Sequence, residues 1–369
     1  MKSLTVYQRS PSWCLRRDDY AYTPLQRFIF NWVPFAHYLY CWWLGRTTSA
    51  IAFKAFRPGS GVSEVMEVVG IQHLESQVKD PVMWEKLRPS GRFGCKRPLF
   101  LDDYYPALCQ PNVELITDPP IEITETGIVS KPVVQLTDAE RKKVQAEQKK
   151  AHSNKVIVEG LGLENYKSSS DMGERHTEVD VLIWGTGFVV QEWGTVYEIV
   201  GRGGKTLGEH WGQDCYTLYG RSLFQIPIYL EFELTAGVAT SNFPNFCILY
   251  GPNTSAPWVS LIYMFELQAK YNARIIRELR KRNSYGHVFA MMPDPAIEKV
   301  YTESLYPELA KLSTNPAFGC HAYYNNEKGI NTHYYPYASS QYKKSLDEIK
   351  WENYFILERR GKEVVDSRA

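Results

Sequence analysis

The chain has 369 residues, enough for two domains of ordinary size with a sizeable hydrophobic core. Its 42 Lys and Arg residues balance 41 Asp and Glu residues, so the charge gives no reason to expect nucleic acid as a partner. The eight histidines contain no HxxxH pair and the seven cysteines no CxxC pair, so we expect no bound metal. We interpret the scattered cysteines as mostly buried thiols of a reducing compartment, and expect a cytoplasmic protein.

The first predicted element is a strand at residues 4–8, where apolar and polar side chains alternate. It ends at Arg9, Ser10 and Pro11. In a dinucleotide-binding unit, an arginine at this place can accommodate a ribose 2′-phosphate. The position alone also fits an exposed arginine before a proline turn, and both interpretations stay open.

Residues 25–45 form the most hydrophobic segment of the chain, rich in Trp, Tyr and Phe. About 20 apolar residues are needed to span a bilayer, and this run is interrupted by Asn31 and Pro34. We therefore expect a buried or surface-lying aromatic helical segment rather than a transmembrane helix, and contact with a membrane surface is not favoured. Residues 62–88 predict helices with a break at Pro81.

Residues 91–106, GRFGCKRPLFLDDYYP, are the most distinctive run. Neighbouring side chains of an extended segment point opposite ways. Lys96 and Arg97 can therefore direct one cation at a phosphate and the other at a developing anion. A solvated basic turn fits the same spacing equally well.

Residues 112–117 and 121–128 predict strands of a meander, and residues 137–150 a charged, solvated helix.

The central stretch, residues 178–188, reads EVDVLIWGTGF and predicts a buried strand that enters a tight turn. Glycines at 185 and 187 allow positive φ and close approach of the backbone to a ligand at the carboxyl end of the strand. A second buried strand is predicted at 246–250, followed by Gly251, Pro252 and Asn253 and a helix at 259–281. A helix N-terminus after a glycine turn suits a polar cofactor group.

Six motifs occur in the same order as in a known family: VYQRSPSW, GCKRPLFLDDYYP, VDVLIWGTGF, IVGRGGKTLGEHW, FPNFCILYGPNT and CHAYYNNEKGIN. Together they make the chain resemble the flavin-containing monooxygenases, in particular the Baeyer–Villiger-type branch. The resemblance implies an α/β fold with two dinucleotide-binding domains, one for FAD and one for NADPH, and a helical insertion. It also implies that NADPH reduces FAD, that O₂ is captured as a flavin peroxide, and that one oxygen passes to a ketone or soft heteroatom of a small organic substrate.

The resemblance also assigns residues. It implies that Arg9, Ser10 and Lys96 face the NADPH 2′-phosphate, and that Arg97 lies near the flavin as the catalytic residue. An always-protonated guanidinium suits stabilisation of a peroxide anion. Further cofactor-binding residues are implied at the crossing between the domains and beside the flavin, namely Gly185, Thr186 and Gly187 for the crossing and Gly251, Pro252 and Asn253 for the flavin.

Two departures from the family pattern lead to further expectations. Tyr323 stands where the family usually has a tryptophan in a pocket wall. The sequence contains no GxGxxG fingerprint, so we expect the two-domain fold to be incomplete, with both fingerprints upstream of Met1. The pyrophosphate of FAD normally lies on such a turn. We therefore expect this chain to bind FAD weakly or not at all, and to be truncated and inactive or nearly so.

The expected domain organisation follows from the resemblance. Residues 1–184 would be the remainder of the NADPH-binding domain, with a helical insertion at about 20–90 and a polar insertion at about 131–177. Residues 185–369 would be the carboxyl-terminal part of the FAD-binding domain, in which 221–236 is interpreted as an aberrant insert. The alternative is a non-catalytic binding fragment, or a membrane-surface protein that uses its aromatic segment.

Overall fold

The computed structural model describes most of the chain, namely residues 2–131, 133–135, 166–168, 173–187, 197–212, 237–283, 288–360 and 363–368. The chain divides into two compact units. The first unit contains residues 1–18, 69–90 and 99–187, and the second contains 19–68, 91–98 and 188–369. The predicted boundary at 184/185 stays a prediction. The charged stretch at 137–150 and the interpreted insert at 221–236 lie outside the described residues.

Helices and strands of the described chain occur in runs, with four successive helices after β2 and six successive strands after α5. The helices are α1 (Pro24–Trp32), α2 (Ala36–Ala55), α3 (Val62–Gln77), α4 (Pro81–Leu87), α5 (Tyr104–Leu108), α6 (Leu207–Trp211), α7 (Leu261–Asn283), α8 (Pro295–Leu309) and α9 (Ser339–Leu346). The strands are β1 (Leu4–Tyr7), β2 (Cys14–Leu15), β3 (Leu99–Phe100), β4 (Val113–Ile116), β5 (Pro120–Ile123), β6 (Gly127–Ser130), β7 (Val133–Gln135), β8 (Tyr166–Ser168), β9 (Arg175–Glu178), β10 (Val288–Pro293), β11 (Tyr354–Arg360) and β12 (Glu363–Arg368).

The first unit is built on short parallel pairs, β1 with β4 and β2 with β3. Apolar side chains of α3, α4 and α5 pack with these strands in one buried cluster, made of Cys14, Leu74, Val78, Leu87, Tyr105, Leu108 and Leu115. The predicted break at Pro81 is confirmed, because Asp80 caps α4 by accepting hydrogen bonds from the backbone N–H groups of Val82 and Met83.

This unit also contains an antiparallel meander of β5, β6 and β9 and an antiparallel pair of β7 and β8. The strand expected at 112–117 forms as β4 but pairs parallel with β1, and the strand expected at 121–128 is divided by a turn into β5 and β6, so the predicted meander is wrong in its strands. Gly127 lets β6 and β9 approach, since a Cβ there would lie 2.1 Å from the carbonyl oxygen of Thr177. Tyr7 also donates a hydrogen bond from its hydroxyl to Thr177 Oγ1 (3.1 Å), which joins β1 to the meander.

The prediction of a buried strand at 178–188 is wrong for the residues described. Strand β9 ends at Glu178, and no strand in the described ranges pairs with residues 179–187. Val181, Ile183 and Trp184 are 75%, 83% and 67% exposed. An apolar run becomes a buried parallel strand only when neighbouring strands pair with it and other elements cover both faces, and neither condition is met here.

The second unit contains the long helix α7 and an antiparallel sheet in the order β10, β11, β12. The predicted helix at 259–281 is confirmed, with its start and end each shifted by two residues. The buried strand predicted at 246–250 is wrong. Positive φ values at Asn242, Asn245, Tyr250 and Asn253 make this stretch turn repeatedly, which an extended strand cannot do.

The aromatic segment forms the hairpin of α1 and α2, as the surface-lying interpretation predicts. Thr23 and Gln26 make a capping box at the start of α1, and Pro34 lies between the two helices. The buried alternative is wrong, since Ala55 is the single buried residue within the two helices. Across the described part of the chain, every helix is too short or too polar to cross a membrane.

Candidate functional site

The turn at 91–98, which carries Lys96 and Arg97, is held by the start of α3. The guanidinium of Arg92 pairs with Glu64 (3.3 Å) and with Glu67 (3.3 Å). Glu67 also accepts a hydrogen bond of 2.9 Å from the backbone N–H of Phe93. The turn is therefore fixed by paired charges and a backbone hydrogen bond rather than by a strand.

Gly94 is required at the centre of this turn. Its φ is +83°, and a Cβ there would lie 2.6 Å from the ring of Phe56 and 2.7 Å from Ser313 Oγ. Phe56 in turn packs edge-on against Phe93 at 6.1 Å between ring centroids. The glycine thus brings the backbone of the turn against a buried ring.

A disulfide joins Cys95 to Cys320, with 5.5 Å between their Cα atoms. The interpretation of the cysteines as mostly buried thiols is therefore wrong. Cys95 and Cys320 are buried but bonded, Cys41 and Cys109 are exposed, and Cys14 is the one buried free thiol in the described residues. The disulfide ties the Lys96–Arg97 turn to the tail segment that carries Tyr323 and Tyr324.

Arg97 follows Cys95 and Tyr323 follows Cys320, so the disulfide brings the segments that carry these two residues together. The ring of Tyr323 stacks at 4.1 Å on Tyr324 and its hydroxyl donates a hydrogen bond of 2.7 Å to the Tyr324 hydroxyl. Loss of hydration and this hydrogen bond raise the pKa of Tyr323, whereas the positive charge of Arg97 acts to lower it. The ring of Tyr323 is 58% exposed, Arg97 is exposed and Lys96 is half-buried. Arg97 and Tyr323 are therefore both exposed on the two segments that the disulfide joins.

The same aromatic stack reaches the second predicted turn. Tyr324 packs at 4.6 Å on the buried ring of Tyr334. The amide nitrogen of Asn253 donates hydrogen bonds of 2.9 Å to the carbonyl oxygens of Asn331 and Tyr334. Asn253 is 3% exposed, with φ at +52°, so its side chain serves to hold the tail.

Gly251 and Pro252 are also buried within the protein. A Cβ at Gly251 would lie 2.3 Å from the carbonyl oxygen of Gly237. Thr254 closes the turn, because its hydroxyl donates a hydrogen bond of 2.7 Å to the carbonyl oxygen of Gly251. We call the joined set of Lys96, Arg97, Tyr323, Tyr324, Tyr334 and the 251–253 turn the arginine–tyrosine cluster.

The remaining predicted site residues belong to the first unit. Arg9 is exposed and Ser10 half-buried, directly after β1. Gly185, Thr186 and Gly187 are exposed, and Gly187 has φ at +90°. A Cβ on either glycine would meet nothing within 4 Å in the described structure. Within the second unit, the turn that carries Lys96 and Arg97 is joined to the tail by the disulfide, and the tail is joined to the 251–253 turn by the hydrogen bonds of Asn253.

Sequence reasoning missed a buried carboxyl group. Glu298, on α8, is 2% exposed and accepts hydrogen bonds from the Thr240 hydroxyl (2.6 Å) and the Ser241 backbone N–H (3.1 Å). Burial raises its pKa to about 7, although these hydrogen bonds act to lower it. Trp211 donates to Thr240 Oγ1 (3.0 Å), and His210 Nε2 lies 3.4 Å from Ser241 Oγ. No spacing signal marks Glu298, because its partners lie 57 and 58 residues away.

Comparison with known proteins places these features in context. No family model matches the chain. The FAD-binding monooxygenase BOA2 of Botryotinia fuckeliana is 31% identical over 359 residues, which covers 97% of this chain and 57% of that protein. A Baeyer–Villiger monooxygenase of Streptomyces coelicolor is 25% identical over 357 residues, 96% of this chain and 56% of that protein.

Solved structures show the same fold. The OTEMO complex with FAD and NADP (form 3) has a TM-score of 0.65 at 18% identity and covers 99% of this chain and 62% of its own. The closed form of cyclohexanone monooxygenase has a TM-score of 0.64 at 19% identity and covers 99% and 63%. The chain spans less than two thirds of the length of the relatives it matches. Along nearly all of its own length, the chain is similar in sequence to FAD-binding and Baeyer–Villiger monooxygenases, and its fold matches the corresponding part of the OTEMO and cyclohexanone monooxygenase structures.

Proposed function

We propose that this chain serves an FAD- and NADPH-dependent monooxygenase reaction, in which one oxygen atom of O₂ is transferred to a ketone or soft heteroatom of a small organic substrate. We further propose that it does so in the cytoplasm, where NADPH is available. The similarity to named FAD-binding and Baeyer–Villiger monooxygenases over nearly the whole chain supports the reaction class. The single structural observation that supports it is the exposed Arg97 on a turn that the Cys95–Cys320 disulfide ties to the segment carrying Tyr323.

The residues present fit anionic dinucleotides. Lys96 and Arg97 offer cationic donors next to one another, which suits a phosphate or a developing oxyanion. Gly185 and Gly187 leave open the space that a Cβ would fill, so a cofactor can approach the backbone there. Arg9 and Ser10 follow a strand, the place at which a dinucleotide ribose is recognised. FAD, once bound and reduced by NADPH, would supply the activation of O₂.

Arg97 is the proposed catalytic residue. Its guanidinium cannot lose its proton at neutral pH and presents a planar fork of donors. A charge held in place before the reaction stabilises negative charge that develops on oxygen, without reorganisation at that moment. The disulfide at Cys95 and the Glu67 hydrogen bond fix the turn that carries Arg97. Tyr323, stacked on Tyr324, would form the neighbouring wall of the substrate site.

The test is oxygenation by the purified chain supplied with FAD and NADPH, using a ketone and a thioether as substrates. Because the sequence contains no GxGxxG turn to hold the FAD pyrophosphate, we expect NADPH oxidation and oxygenated product at a low rate. Arg97→Lys keeps the charge but loses the fork, and should lower product formation by about 10²–10³-fold. Arg277→Lys, an exposed arginine on α7, is the matched control and should leave the rate unchanged. Absence of product from the unchanged chain, or equal rates in the two variants, would contradict the proposal.

A further inference from the structure

The helical hairpin of α1 and α2 has an apolar surface that the proposed oxygenation does not use. Within it, the inner rings pack on one another, with Phe30 at 5.3 Å from Tyr22 and 5.2 Å from Tyr40 between ring centroids. The hairpin therefore has its own small aromatic interior. The other large side chains of the two helices are not needed to hold them together.

Six of those side chains stand out in solvent: Phe28 (59% exposed), Trp32 (73%), Phe35 (77%), Tyr38 (66%), Trp42 (55%) and Trp43 (56%). We call these six the aromatic face. Phe28 packs against Trp32 with 6.4 Å between ring centroids, and Trp42 and Trp43 are neighbours in sequence. Large exposed apolar patches mark sites of interaction. Leaving three tryptophans in water is costly, since each large aromatic buries about 150–250 Å² when it is covered.

The charges around the aromatic face have one sign. No aspartate or glutamate occurs between Asp19 and Glu64. In the same interval Arg27, Arg46 and Lys54 are exposed, and the Arg46 guanidinium lies 5.8 Å from the ring of Trp42. Exposed tryptophan and tyrosine rings with arginines and lysines beside them match the interface between lipid headgroups and acyl chains, where the rings enter and the cations meet anionic headgroups.

We propose that the α1–α2 hairpin binds the surface of an anionic lipid bilayer, with the aromatic face entering the headgroup boundary and Arg27, Arg46 and Lys54 contacting the headgroups. The helices lie on the membrane and do not span it, which agrees with their length and polarity. A second protein copy is the competing occupant. It is less suited, because two copies would bring the same cations together without acidic partners on either hairpin.

Flotation of the full chain with lipid vesicles tests this surface. One set of vesicles is phosphatidylcholine alone, and in the other roughly a third of the lipid is phosphatidylserine. We expect the chain to float with the anionic vesicles, more weakly with the neutral ones, and less at high salt. The double variant Trp32→Ala and Trp42→Ala should weaken binding by about tenfold or more, which is 1.4 kcal/mol per tenfold. These rings have little packing to lose, so the fold should survive, as circular dichroism would show.

Two further variants test whether the cations of the hairpin contribute to vesicle binding and whether an exposed ring outside the hairpin does. Arg46→Glu with Lys54→Glu should lower binding to anionic vesicles by roughly fivefold for each cation removed. Tyr197→Ala removes an exposed aromatic ring (77% exposed) outside the hairpin and should leave vesicle binding unchanged. The proposal is overturned if the unchanged chain stays unbound to anionic vesicles, if the tryptophan variant binds as well as the parent, or if sedimentation shows a dimer that the tryptophan variant dissociates while vesicle binding is absent.

Discussion

At the scale of single residues, the most unusual group is the Glu298 carboxyl. Its pKa of about 7 in the folded chain lies above the ordinary glutamate value of 4.5. Because the folded state holds the proton more tightly, the carboxyl contributes stability that is complete below pH 4.5 and is lost as pH rises through 7. A difference of this size corresponds to about 3 kcal/mol of unfolding free energy.

Glu298→Gln should remove this pH dependence. The glutamine carbonyl can accept the hydrogen bonds from Thr240 and Ser241, and it carries no charge at any pH. We expect denaturant melts to show the parent losing stability between pH 5 and 7.5 relative to the variant, by up to about 3 kcal/mol. Glu303→Gln, an exposed residue on the same helix, is the control. Parallel stability curves for the parent and Glu298→Gln would show that the carboxyl is ionised in the fold.

His210 changes the unfolding free energy with pH in the direction opposite to Glu298. Burial lowers its pKa, with the charge of Lys205 as the second cause. A histidine held neutral in the fold costs stability as pH falls below its ordinary value of 6.5, because the unfolded chain takes up the proton more readily. Since His210 is present in both proteins, its effect cancels in the comparison of the parent with Glu298→Gln.

For single residues, the sequence predicted the local backbone conformation better than it predicted which distant residues a side chain contacts. A glycine before the paired cations was expected, and Gly94 does lie at positive φ against Phe56. The place of Asn253 beside a cofactor stays a prediction, and the sequence did not indicate that its amide donates hydrogen bonds to the carbonyl oxygens of Asn331 and Tyr334. Those partners lie 78 and 81 residues away along the chain, and at this separation hydrophobic periodicity and local propensity give no information about contacts.

At the scale of elements, the Cys95–Cys320 disulfide sets the position of the proposed catalytic turn. It joins two segments separated by 225 residues, neither of which is a helix or strand. A cross-link over so long a loop stabilises chiefly by restricting the unfolded chain, typically by about 2–4 kcal/mol. Disulfides are rare in reducing compartments, and both sulfur atoms here are buried, away from dissolved thiols.

Cys95→Ala with Cys320→Ala should therefore lower the unfolding free energy by about 2–4 kcal/mol. Cys109→Ala, an exposed free thiol, is the control and should change stability little. Thiol titration of the denatured parent, before and after reduction, should reveal two additional thiols after reduction. If all cysteines react before reduction, or if the double variant is as stable as the parent, the disulfide does not hold the turn in solution.

Helices were predicted more reliably than strands. The helices α3, α4 and α7 each carry local signals, such as the Asp80 cap with Pro81, that depend on residues nearby in sequence. The strands predicted at 178–188 and 246–250 did not form, because a strand needs partners elsewhere in the chain. Left-handed residues at Asn245 and Tyr250 also turn the backbone immediately before and at the end of the 246–250 stretch.

At the scale of the whole molecule, the family resemblance was correctly drawn from six short motifs, and similarity to BOA2 and to solved Baeyer–Villiger enzymes confirms it. The inference rests on the order of the six motifs, since each motif alone is weak evidence for the family. Composition and charge gave no reason to expect nucleic acid as a partner, and they identified no ligand. The division into two units was not predictable in detail, because residues 19–68 and 91–98 pack with the carboxyl-terminal half through contacts distant in sequence.

The account depends most on the arginine–tyrosine cluster being a surface for the redox cofactor. Titration of FAD into the purified chain, followed by quenching of flavin fluorescence, tests this directly. We predict weak but saturable binding that Arg97→Ala lowers by about tenfold, close to the loss of one charge-assisted hydrogen bond, and that Arg277→Ala leaves unchanged. Absence of saturation, or equal affinity in the parent and Arg97→Ala, would contradict the account.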